Sequence, residues 1–140
     1  MLPTRTLIAE DYAEFRNFLR LTLQKETQCI VIGEAVDGLQ AVQQAEELQP
    51  DLILLDLSLP KLNGMEAFRR IRKLSPRSKV VILSQDPSPE VMQGALGLGA
   101  VGYLLKSDAS DLPLALDAML QGEVFVSQRL RKVTRDQHSD

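Results

Sequence analysis

Leu52-Ile53-Leu54-Leu55-Asp56 decides the fold: four aliphatic residues in succession end at a carboxylate, and Pro60, Asn63 and Gly64 follow. A run this short and this apolar is the pattern of a strand buried on both faces. Its first charged residue marks the carboxyl end of that strand, where α/β sheets hold their ligands. Asp56 is therefore read as a site residue. Leu7-Ile8-Ala9 breaks in the same way into Glu10-Asp11, Val80-Val81-Ile82-Leu83 into Ser84, and Tyr103-Leu104-Leu105 into Lys106. Parallel neighbouring strands would bring these three carboxylates, one hydroxyl and one amine to a single rim.

Strand-like and helix-like patterns alternate five times. Strands are predicted near 5–9, 30–35, 52–56, 79–83 and 102–105. Between them Phe15, Phe18, Leu19, Leu21 and Thr22 recur at helical spacing, as do Ala41, Val42, Ala45 and Leu48, and then Met65, Phe68, Ile71, Arg72 and Leu74. Later helices are predicted near 89–98 and 112–120, with Pro89 suited to a first turn and Gly122 to a C-terminal stop. Such alternation calls for right-handed crossovers and a parallel sheet, so the predicted fold is a flavodoxin-like (βα)5 three-layer sandwich with strand order 2-1-3-4-5. That order sets Glu10-Asp11 beside Asp56. Residues 1–122 form the predicted domain, and 123–140 read as a linker with a frayed, basic end.

The 140 residues suffice for one domain, and 44% hydrophobic and 25% charged content is ordinary for a globular protein. A net charge of −3 argues against nucleic-acid binding by the chain itself; the tail is basic, but Arg129, Arg131, Lys132 and Arg135 there would give only salt-sensitive, nonspecific attraction. Cys29, the single cysteine, opens an apolar stretch and reads as a buried hydrophobe. No secretory leader or membrane-length apolar run is seen, so a cytoplasmic location without membrane attachment is expected. His138 lies in the tail and reads as solvated. Residues 97–102 match the dinucleotide-binding glycine pattern, but a helix precedes and a strand follows them, the reverse of what pyrophosphate binding needs.

Three carboxylates on one rim either hold protons or bind a cation. Oxygen donors without a nearby histidine or thiolate suit Mg2+ far better than zinc or copper. A carboxylate beside such an ion can also act as a nucleophile toward phosphorus, with Lys106 and Ser84 stabilising the phosphoryl oxygens. Taken singly, Asp56 reads equally as a strand-end residue capping the next turn, Glu10 or Asp11 as a helix N-cap, and Tyr103 as a strand aromatic with its hydroxyl in solvent.

The ordered set Glu10-Asp11, Asp56, Ser84 and Lys106, with Pro60 and Gly64 after the acceptor and Tyr103 three residues before the lysine, resembles the receiver domain of two-component response regulators. The resemblance covers residues 4 to about 122. It implies a phosphoacceptor, not an enzyme, that assists its own Mg2+-dependent phosphorylation and dephosphorylation. Asp56 would accept phosphate from a sensor histidine kinase. Asp11 and Asp56 would bind Mg2+ with Glu10 assisting and the backbone carbonyl of Ser58 completing the protein ligands. Ser84 and Lys106 would hold the phosphoryl group, and Tyr103 would be the switch aromatic. The segment from Gly102 to Asp108, followed by Leu112, Ala115 and Gly122, is most similar to the NarL/FixJ branch with LuxR-type helix-turn-helix output. That implies a homodimer through the fourth helix, fifth strand and fifth helix, and DNA contact only through an output domain that this chain does not include.

Ser107 stands where many receivers have proline, which removes the usual candidate for a cis peptide, and Gln85 stands where a small residue is common, so a slower phosphoryl transfer is expected from its bulk. Ser58 and Asp86 occupy positions that tune phosphate lifetime in the family. Two rival readings remain. A haloacid-dehalogenase-type phosphatase would need an aspartate at Ser58, and a pseudo-receiver interaction module would lack the acceptor or the acidic pocket, which are both present.

Overall fold

The computed structural model describes residues 2–131. Strands β1 (Thr4–Ala9), β2 (Cys29–Ala35), β3 (Leu52–Asp56), β4 (Lys79–Ser84) and β5 (Gly102–Leu105) alternate with helices α1 (Ala13–Glu26), α2 (Gly38–Leu48), α3 (Gly64–Leu74), α4 (Pro89–Gly97) and α5 (Leu112–Leu120). All strand pairings are parallel. Successive strand residues point to opposite faces, and each face has its own core. Leu7, Ile53, Leu55 and Ile82 pack with Ala45 of α2, Phe68 of α3 and Met92 of α4. On the other face Ile8, Leu54 and Leu83 pack with Leu19 of α1 and Leu116 of α5. Every residue of β3 is buried, as expected of a strand covered by helices on both sides.

The sheet departs from the predicted five strands. A sixth, β6 (Phe125–Val126), pairs with β5, so the order is 2-1-3-4-5-6. The start of the segment predicted as linker therefore belongs to the sheet, and Leu130, in a helical turn at 128–131, is buried in the core. The physical reason is local: a two-residue strand shows no period, and the apolar run Val124-Phe125-Val126 that contains it is too short to tell a strand from a loop. The rest of the tail, including His138, lies outside the described residues. A 3-10 helix, Lys106–Asp111, also joins β5 to α5 where the sequence showed no separate element.

Local chemistry places the loops that carry the rim. Asn63 caps α3 by accepting from the Glu66 amide, and Ser88 caps α4 with Pro89 behind it, each cap worth about 1 kcal/mol. Gly64 lies against the backbone after β3, where a Cβ would meet Asp56 O at 2.5 Å. Glycine there lets α3 start close under the end of β3. Residues 97–102 end α4 and turn into β5, with Gly99 at a φ of 104°, so the glycine pattern is a helix stop and not a phosphate loop.

Candidate functional site

In register, Ala9 pairs with Leu55, Asp56 with Leu83 and Ser84 with Leu105. The carboxyl ends of β1, β3, β4 and β5 therefore finish at nearly one level. The residues that follow β1 and β5, Glu10 and Lys106, meet Asp56 there. Glu10 and Asp56 are fully buried. The Lys106 ammonium sits 2.7 Å from Glu10 Oε1 and 3.2 Å from Asp56 Oδ2, joining the two carboxylates across the sheet. The second oxygen of each is held by backbone: Tyr12 N donates to Glu10 Oε2 at 3.1 Å, and Ser58 N donates to Asp56 Oδ1 at 3.0 Å.

Asp11 is exposed, and one carboxylate oxygen from each of Glu10, Asp11 and Asp56 lies within 4.8 Å of the others. These side chains line an open hollow of about 620 Å3 with Tyr12, Phe15, Ser58, Gln85, Lys106 and Ser107. Burial pushes the Glu10 carboxyl above its usual range and Asp56 adds to the push, while the Lys106 ammonium and the Tyr12 amide oppose it. For Lys106, burial works to lower the pKa, but the Glu10 and Asp56 carboxylates together outweigh it and hold the ammonium above the usual lysine value. Two sealed carboxylates thus share one cation, with a third carboxylate at the mouth. That donor set is hard, oxygen-only and under-neutralised, which fits a divalent ion of the Mg2+ type.

The structure brings together Glu10, Asp11, Asp56, Ser58 and Lys106 as the sequence led us to expect. Ser84 ends β4 as predicted, yet it is buried and does not line the hollow; its Oγ accepts from the Asp86 amide at 2.9 Å. The reason is the turn after β4, which folds the Asp86 backbone over the hydroxyl. Tyr103 is buried in the core and its hydroxyl donates to the Asp86 carbonyl at 3.0 Å, so it is not a strand aromatic with a solvated hydroxyl. Burial raises the Tyr103 phenol, the Ser84 hydroxyl opposes this and Asp86 adds to it. The Asp86 backbone thus contacts both the strand-four hydroxyl and the strand-five aromatic. Neither Glu10 nor Asp11 caps α1: Tyr12 occupies the N-cap position.

Sequence reasoning missed Phe15, whose ring lies 5.1 Å from the Lys106 ammonium, and Tyr12 beside it. Tyr12 directly follows the acidic pair and Phe15 lies in the first turn of the helix after it, so that turn had to open on the same rim; that adjacency was the available signal.

Comparison with known proteins agrees with this geometry. The family model described as the response regulator receiver domain matches residues 6–117. The chain is 36% identical over 132 residues to the nitrate/nitrite response regulator protein NarL of Escherichia coli strain K12, covering 94% of this chain and 61% of that protein. It is 36% identical over 129 residues to the transcriptional regulatory protein YdfI of Bacillus subtilis, covering 91% of this chain and 60% of that protein. The chain thus spans about three fifths of the length of these curated relatives. A LuxR-family two-component response regulator from Aurantimonas sp. SI85-9A1 superposes with a TM-score of 0.91 at 27% identity, covering 99% of both chains. A buried strand-end aspartate bridged by Lys106 to Glu10, on this topology and with these relatives, establishes that the chain belongs to the response regulator receiver family, among relatives of the NarL/LuxR type.

Proposed function

We propose that Asp56 is the phosphoacceptor, and that a sensor histidine kinase supplies the phosphoryl group from a phosphohistidine. The observation that carries this reading is the Asp56 carboxylate, buried at the end of β3 yet bordering the hollow, with the Lys106 ammonium 3.2 Å away. Asp56 Oδ1 is engaged by the Ser58 amide, which leaves Oδ2 to attack phosphorus. A new O–P bond forms as the N–P bond of the phosphohistidine breaks, and the electron pair goes to the departing imidazole nitrogen, which takes a proton from solvent. Lys106 leaves the carboxylate to follow the phosphoryl oxygens, and Ser84 turns its hydroxyl from the Asp86 amide toward them.

Receiver domains bind Mg2+ at an acidic pocket, and this chain has such a cluster in Glu10, Asp11 and Asp56. Asp11 and Asp56, assisted by Glu10 and by the carbonyl of Ser58, would hold the ion. When bound, Mg2+ offsets the negative charge gathered on the carboxylates and the incoming phosphoryl group. Receivers are generally not enzymes in their own right, and we read this one as assisting its own phosphorylation and dephosphorylation, with Gln85, Ser58 and Asp86 setting the rates.

Response regulators of this type are phosphorylated by histidine kinases, dimerise, and bind DNA through output domains. For this chain we place the receiver at 1–122 with β6 appended and the remainder leading toward an output domain. Phosphorylation would bias the Asp86–Tyr103 contact and so the α4–β5–α5 face, the proposed homodimer surface. A shift from 1:99 to 99:1 between two such states needs about 5.5 kcal/mol of differential interaction. Among the described residues no helix is long and apolar enough to cross a membrane, and we assign the protein to the cytoplasm.

The test is intact mass after incubation with Mg2+ and acetyl phosphate. Wild type should gain one phosphoryl group, Asp56→Asn and a magnesium-free control should gain none, and Gln85→Ala should react faster. A gain retained in Asp56→Asn sinks the assignment of the acceptor. A wild type that stays unmodified even with Gln85→Ala favours an interaction module.

A further inference from the structure

Asp11 makes no hydrogen bond or ion pair with its side chain among the described residues, although it is the exposed member of the acidic cluster. Its carboxylate is therefore placed by its backbone alone. The peptide that sets that backbone is the one joining Glu10 to Asp11, and its carbonyl oxygen has a partner outside the sheet. Arg16, in the first turn of α1, donates from Nη1 to Glu10 O at 3.0 Å. The same guanidinium is held from its other side by Glu34, whose Oε1 lies 3.2 Å from Arg16 Nε. Glu34 is on β2, in register with Ile8 of the neighbouring β1, and Arg20 steadies it at 3.5 Å.

We propose that Arg16 is a positioning residue for the divalent-cation site: oriented by Glu34, it fixes the Glu10–Asp11 peptide and so aims the Asp11 carboxylate. This rests on the reading of the acidic hollow as a Mg2+ site. The planar guanidinium fork lets one nitrogen of Arg16 donate a hydrogen bond to the Glu10 carbonyl at the end of β1 while another keeps ion-pair contact with the Glu34 carboxylate of β2. An ammonium of equal charge has no such fork. The arrangement has the logic of an outer partner that orients a metal ligand, acting here through the main chain of the ligand instead of its side chain.

The charge of Arg16 gives the test its sign. A cation this close to the site opposes Mg2+ electrostatically, so removing it should tighten binding if Arg16 acted only as a charge. Positioning predicts the reverse. Mg2+ alone is titrated into the full chain, followed by calorimetry and by the amide resonances of residues 10–12, with melting in EDTA as a control for folding. Wild type binds; Arg16→Gln and Arg16→Lys raise Kd about tenfold, at the low end of the effect of outer-shell partners, with melting in EDTA little changed. Equal or tighter binding by Arg16→Gln overturns the proposal, as does full retention of affinity in Arg16→Lys. If the arginine variants do not fold, Glu34→Gln carries the test: a Kd raised severalfold supports the clamp and an unchanged Kd overturns it. Absence of Mg2+ binding in wild type is a separate outcome that removes the metal reading and the clamp's role with it.

Discussion

Glu10 is a carboxylate sealed from solvent that shares its one ammonium with Asp56. Its pKa is raised, chiefly by burial, so the folded protein holds the Glu10 proton more tightly than the unfolded chain does. The sign follows. Below 4.5, the ordinary glutamate value, the residue is protonated in both states; as pH rises above it, the folded state bears the ionised carboxylate at a growing disadvantage. Glu10→Gln should therefore melt at a higher temperature than wild type at pH 7 without Mg2+, and the gain should shrink as pH falls toward 4.5. A gain that persists unchanged into acid would point to packing and not to charge. The same variant should bind Mg2+ more weakly, since a charge that destabilises the apo fold is one that a cation relieves.

At the scale of elements, the segment from β6 to Leu130 is held more firmly than its composition suggests. Ser127 accepts from the Leu105 amide at 2.9 Å inside the protein, and Leu130 is 1% exposed. Ser127→Ala should cost about 1–3 kcal/mol by leaving the buried Leu105 amide unpaired, and Leu130→Ala about 2–5 kcal/mol through the cavity it leaves. Urea unfolding checks both, and losses below about 0.5 kcal/mol would mean that this segment is a surface appendage. A further constraint lies at the start of α2, where a Cβ on Gly38 would meet the Leu62 carbonyl at 1.8 Å. Gly38→Ala must displace the loop that follows β3, at about 1–3 kcal/mol or more.

The elements differ in how openly the sequence announced them, for a physical reason in each case. Fully buried parallel strands leave an unbroken aliphatic run whose first polar residue falls on the rim, which is why Asp56, Glu10, Asp11 and Lys106 were legible together. Helix α1 was legible as a helix but not in its facing: Phe18 and Leu21 belong to the apolar pattern and are 41% and 44% exposed, while Leu23, outside that pattern, is buried. The rotamer of Ser84, the partner of Tyr103 and the reach of Arg16 to Glu34 depend on contacts between distant segments, and no local period encodes them. Strand β6 was silent because pairing with β5, not its own sequence, makes it a strand.

For the molecule as a whole, site and stability are linked. A ligand that binds only the folded state adds about 2.7 kcal/mol at a hundred times its Kd. For a chain of this size Mg2+ at that excess should raise the melting temperature by about 5–10 °C, at the 2–4 °C per kcal/mol typical of 150 residues and above. EDTA should reverse the rise, and Asp11→Asn should abolish it. An equal rise in Asp11→Asn would mean that the ion acts elsewhere.

The sixth strand has a consequence for how copies of the protein treat one another. Gly102 pairs with Phe125 and Tyr103 with Val126, so the backbone of β5 on that side is already taken. A shortened chain ending at Gly122 would lay that backbone bare beside Leu104 and Leu105, as an apolar, unblunted border ready to accept a strand from another molecule. Ending instead beyond Leu130 keeps the border closed. The two lengths should part company in concentrated solution, the shorter clouding with time and the longer staying clear.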